Sequence, residues 1–261
     1  MSSLFHNRLF VLAAVVAYAL LNTGSIHAVP NAPKTQFDGS QQEEQALGPA
    51  VESVAELYDG GRFLEARENV LRLMEPVCKH GTSEQIRKLT RLHYLVSREG
   101  GWWEEYCQTY QRILQKKGAL QVKRSGMVYL RLALGRSRRG DKQKAQRIVS
   151  GIEADPELRL DEYDKAVLCS IRADLRVGTN PVIDYKEAAG WFGKHDYWWE
   201  AGWAYNNLGV LLQERENSSE AAMAYRQALT CFVTAANAAD ISRAGANLRS
   251  LVQDNADMKE Y

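Results

Sequence analysis

The chain has 261 residues, of which 45% are hydrophobic and 25% charged, and its formal net charge is +1. That composition suits a soluble globular protein, and the near-neutral total excludes a bulk preference for nucleic acid or membrane surfaces. Six prolines and little Val-Ile-Thr alternation exclude a β-rich fold, while the dominance of Ala, Leu, Arg, Glu and Gln favours helices.

At the N-terminus, Leu9–Leu21 is an unbroken apolar run of 13 residues that follows Arg8. A membrane-spanning helix wants roughly 20 apolar residues. The charged start, short apolar core and Ala28 at a cleavage position indicate a secretory signal peptide over residues 1–28. An uncleaved N-terminal membrane anchor is the alternative. No acidic residue precedes Asp38, which keeps mitochondrial targeting open as well. The expected localisation is therefore export, to a periplasm or the cell exterior. Val29–Gly48 is polar, carries two prolines and lacks apolar periodicity, so residues 29–48 are expected to be a flexible linker.

Beyond the linker a turn recurs: GRFLEA at Gly61–Ala66, GWWEEY at Gly101–Tyr106, GDKQKA at Gly140–Ala145, IDYKEA at Ile183–Ala188 and ENSSEA at Glu216–Ala221. Four residues after each comes an apolar or aromatic residue, Val70, Tyr110, Val149, Phe192 and Tyr225. The turns are spaced by 40, 39, 43 and 33 residues, which predicts five helical hairpins, each turn introducing a second helix. Asp155-Pro156 and Asn180-Pro181 mark breaks, because the residue before Pro is pushed away from helical geometry. Ala239–Gln253 is expected to form a closing helix, so the repeat domain covers residues 49–253 and a tail covers 254–261.

The last unit, Tyr197–Thr234, places Tyr205, Leu208, Gly209 and Leu212 ahead of Ala221, Tyr225 and Ala228. That spacing resembles the tetratricopeptide repeat, with Gly209 and Ala221 as the small residues that let two helices approach. The resemblance implies an all-α fold: a right-handed superhelical stack of about five TPR-like hairpins plus a closing helix. It also implies a concave groove lined by the first helix of each hairpin. On the second hairpin Lys88, Arg91, Leu95 and Arg98 share a helical face; on the last, Trp203, Asn206, Val210 and Gln213 do, with Asn207 beside them. The partner-binding candidates are therefore Lys88, Arg91, Arg98, Trp203, Asn206, Asn207 and Gln213. The carboxylate-gripping subtype of the family needs Lys and Asn on consecutive hairpins, and the first hairpin offers Val51 and Ala55 instead.

Little in the sequence points to catalysis. Cys78, Cys107, Cys169 and Cys231 lack metal-ligand spacing; they are either helical packing residues or the source of a disulfide, with Cys78 and Cys107 the nearest pair. The five histidines form no metal motif, and His195-Asp196 is better explained as a polar cap than as an acid–base pair. No metal or other cofactor is expected. Between Arg112 and Arg147 twelve basic residues accompany a single acid, Asp141, which suggests an anion-attracting region within a neutral chain. The expectation is a non-catalytic protein–protein interaction scaffold, holding an acidic peptide or protein partner and no nucleic acid. Its membrane contact would be limited to the N-terminal segment. The alternative is a membrane-anchored assembly factor or chaperone-like adaptor.

Overall fold

The computed structural model describes residues 41–116, 122–158, 160–178 and 180–257. The signal or anchor over 1–28, the linker up to residue 40 and the last residues of the tail lie outside them. Eleven helices make up the described residues, with no strand among them. Helices α1 (Gln41–Asp59) and α2 (Phe63–His80) form the first hairpin, α3 (Ser83–Gly100) and α4 (Trp103–Gln115) the second. The third is α5 (Val122–Arg138) with α6 (Lys142–Ala154), the fourth α7 (Glu162–Leu175) with α8 (Pro181–Lys194). Helices α9 (Trp198–Glu214) and α10 (Ser218–Thr234) form the fifth, and α11 (Ala238–Asp257) closes the series. Each helix packs on its neighbours in sequence, so the fold is an all-α stack of hairpins.

Local chemistry sets the ends. Thr82 and Gln85 form a reciprocal capping box at the start of α3. The Asp161 side chain accepts from the Asp164 amide at the start of α7, and Asn180 with Pro181 opens α8. The recurring turn does introduce the second helices, and its last residues, Ala66, Tyr106, Ala145, Ala188 and Ala221, are all fully buried. So are the residues four positions on, Val70, Tyr110, Val149, Phe192 and Tyr225. Both positions therefore face the seam between paired helices.

Four expectations change. Helix α1 starts at Gln41 and runs through Pro49, so the linker ends before residue 48: Gln41–Leu47 is rich in helix formers and Leu47 is buried. The closing helix extends to Asp257, past the expected end at Gln253. Gly209 makes its close approach to Tyr225 rather than to Ala221, because a Cβ at Gly209 would lie 2.5 Å from Tyr225 Cε1. Cys107, Cys169 and Cys231 are free thiols, so no Cys78–Cys107 bridge forms.

Candidate functional site

The first helices of the hairpins, α3, α5, α7 and α9, together with α11, face one another and form an inner face. Stripes of Arg and aromatic residues on these helices bring them together. On α3, Arg87, Arg91, Tyr94 and Arg98 follow i, i+4, i+7 and i+11 spacing, which keeps them on one side of a helix. Arg98 reaches across 142 residues to α11, its Nη1 donating to Asp240 Oδ1 at 2.9 Å. Asp240 is fully buried and also accepts from Trp199 Nε1 at 2.8 Å and Arg243 Nη1 at 2.7 Å. Three helices, α3, α9 and α11, are thus tied at one carboxylate.

A second knot lies further along. Asp174 on α7 accepts from Arg138 Nη2 at 2.9 Å, Tyr185 OH at 2.5 Å and Asn207 Nδ2 at 3.2 Å. The Arg138 guanidinium also lies over the Trp203 ring, 4.4 Å from its centroid, and Tyr94 meets the same ring edge-on at 5.4 Å.

At the other end of α3 the face opens into a cleft of about 370 Å3 lined by Glu84, Arg87, Lys88, Arg91, Tyr197 and Glu200. Arg87 is committed: it donates to Tyr197 OH at 2.9 Å and to Asp161, and lies over the Tyr163 ring. Lys88 pairs with Glu52 of the first hairpin. Arg91 is held least, with its Nη1 3.9 Å from Glu200 Oε2 and its guanidinium 5.9 Å from the Trp199 ring centroid.

The candidates from sequence therefore divide. Lys88 and Arg91 line the cleft, Arg98 lies in the Asp240 knot, and Trp203 and Asn207 surround the Asp174 knot. Asn206 is buried and accepts from Asn247 Nδ2 at 2.9 Å, and Gln213 accepts from Tyr225 OH at 2.8 Å within the last hairpin. Arg87 and Glu200, which sequence reasoning passed over, belong to the cleft. The helical spacing of Arg87 with Arg91 was the available signal. Leu95, assigned to the same face as Arg91, is buried in packing.

The basic stretch Arg112–Arg147 does not form one patch. Lys116 pairs with Glu75, Arg139 with Glu104, Arg136 with Asp141 and Arg138 with Asp174, while Arg131 is buried. Acids from neighbouring hairpins neutralise much of it, which local sequence cannot reveal. His93 is buried against Tyr106 and Tyr110, and burial lowers its pKa to about 3, so it stays neutral. His195 ends α8 and stacks on Trp191. Cys169, Asp184 and Glu187 bring possible ligand atoms within 4.8 Å of one another, but Arg172 already occupies Asp184, so a cation there would displace a guanidinium.

No family model matches the chain, and no curated protein matches it. Among solved structures it is similar to BtubC (BKLC) from P. vanneervenii, at 19% identity and a TM-score of 0.35, over 86% of this chain and 94% of that one. That likeness is too distant to carry a role over.

Proposed function

We propose that the chain is a non-catalytic scaffold, a stack of tetratricopeptide-like hairpins whose inner face holds an acidic segment of a protein partner. The observation that carries this is the cleft at the start of α3, where Arg87, Lys88 and Arg91 lie beside Tyr197 and where Arg91 lacks a close carboxylate. A carboxylate on the partner would reach Arg91 at hydrogen-bond distance, which Glu200 does not, and charge-assisted contacts of this kind are strong. Tyr197 offers aromatic area beside the charge.

A labelled Glu-rich peptide titrated in fluorescence anisotropy tests the reading. The full chain should bind it, and Arg91→Glu should weaken binding by about tenfold or more, which corresponds to about 1.4 kcal/mol. A Gln-rich peptide of the same length should not bind. Equal affinity for both peptides, or no effect of Arg91→Glu, would overturn the acidic partner.

The apolar run Leu9–Leu21 supports export as the setting for this scaffold, with a membrane-anchored assembly factor as the second reading. The mass of the protein recovered from its own cells separates them. A chain starting near Val29 is the expected result, and an intact N-terminus in the membrane fraction would favour the anchor.

A further inference from the structure

Beside the acidic-segment cleft, and sharing Arg91 and Glu200 with it, α3, α5, α7 and α9 converge on an inner pocket of about 50 Å3. Its walls are mostly apolar, with Tyr94, Leu134, Ile171, Trp199 and Trp203 among them. Four charged residues also line it: Arg91, Arg131, Glu200 and Asp174. Asp174 is spent on Arg138. That leaves two guanidiniums facing one carboxylate.

Arg131 is the unusual member. It is only 6% exposed, yet among the described residues it has no carboxylate within ion-pair distance. Its Nη2 donates to Tyr163 OH at 3.4 Å, and its Nε has no hydrogen-bond partner. Tyr163 in turn donates to Glu200 Oε1 at 3.0 Å, so Glu200 reaches Arg131 through a neutral hydroxyl. Glu200 Oε2 also lacks a hydrogen bond, with Arg91 at 3.9 Å. Asp164, the other buried acid near the start of α7, feels the Arg131 charge but forms no ion pair with it. A buried guanidinium without a paired anion is costly.

We propose that this pocket binds a short-chain monocarboxylate. The carboxylate would bring Arg91, Arg131, Glu200 and the ligand to zero net charge and would supply acceptors to Arg131 and Arg91. The alkyl body would lie against Tyr94, Trp199 and Trp203. Size sets the class: at about 10–15 Å3 per water, the pocket takes roughly three to five water-sized groups, which suits a body of a few carbons. An inorganic anion would leave the aromatic walls unused. Arg91 and Glu200 line this pocket and the acidic-segment cleft alike, so Arg131, which lines this pocket and not the cleft, is the residue that separates the two readings.

The test is intrinsic tryptophan fluorescence of the untagged full chain, titrated separately with butyrate, butyramide and inorganic phosphate. Trp199 and Trp203 line the pocket, so occupancy should alter emission. Butyrate should give a saturable change, with butyramide and phosphate at least about tenfold weaker. Arg131→Met should remove the butyrate response. Should that variant fail to fold, Arg131→Lys, which keeps the charge but not the forked donors, should weaken butyrate binding and leave the Glu-rich peptide unaffected. No response to butyrate, or equal responses to butyrate and butyramide, would overturn the proposal. A capped peptide with a free C-terminal carboxylate that binds where butyrate does not would also overturn the small-molecule assignment.

Discussion

Three of the five hairpins turn through a glycine at the same point of the repeat, and the fifth turns there through Glu216. Gly61, Gly101 and Gly140 have φ of 73°, 68° and 92°, and Glu216 has φ of 59°. Left-handed backbone costs an L-residue about 1–2 kcal/mol, part of which glycine returns through its greater freedom when unfolded. Glu216→Gly is therefore expected to stabilise the protein by about 0.5–1 kcal/mol, raising Tm by a few degrees in thermal denaturation. An unchanged or lower Tm would mean that Glu216 earns its place by a contact other than turn geometry. At this scale the sequence was informative about conformation and poor about pairing. Arg98 was legible as a face residue because α3 has clean helical spacing, but Asp240 was not legible as its partner. Arg87 and Lys88 are neighbours about 100° apart on a helix, so spacing alone left the edge of the stripe one residue uncertain.

At the scale of the elements, the five turn motifs and the buried positions that follow them mark the second helices, because both report the seam where paired helices touch. The partners across that seam are a matter of shape. Gly209 on α9 accepts the ring of Tyr225 on α10, and Gly135 on α5 accepts Tyr106 of α4 in the same way, with a Cβ there 2.5 Å from Tyr106 Cδ1. Glycine on a first helix thus receives a tyrosine both within a hairpin and between hairpins. Tyr225 is held in place by burial and by its hydroxyl donating to Gln213. Gly209→Ala is predicted to cost about 1–3 kcal/mol through overpacking, measured by urea denaturation with an unchanged slope. A variant as stable as the original would mean that the Tyr225 ring can move aside freely. The ends of α1 and α11 were less legible, since polar helix formers such as Gln41–Gln45 resemble a linker until burial of Leu47 fixes the turn that follows.

At the scale of the molecule, the stack differs from an open groove. Helix α3 of the second hairpin meets α9 of the fifth and α11 beyond it, so much of the inner face is consumed by its own ion pairs and rings. Open space is left at the cleft beside Arg91, at the pocket beside Arg131 and at a hollow of about 330 Å3 beside Asp174 and Asn207. No local pattern could announce this, because the contacts join residues more than a hundred positions apart and depend on how each hairpin is offset from the last. The same closure explains why several of the sequence candidates, Arg98, Asn206 and Asn207 among them, already have partners within the chain. It also buries the Asp240 carboxylate among Arg98, Trp199 and Arg243, so that loss of Arg98 leaves it one charged donor short. The double-mutant cycle on Arg98→Ala and Asp240→Ala tests this closure most directly. Because Arg243 still pairs with Asp240 and Glu99 with Arg98, each single change is expected to destabilise the fold by about 1–3 kcal/mol, and the pair should couple by about 1 kcal/mol or more. Effects that add to within about 0.3–0.5 kcal/mol would contradict the meeting of α3 and α11, and with it the closed inner face.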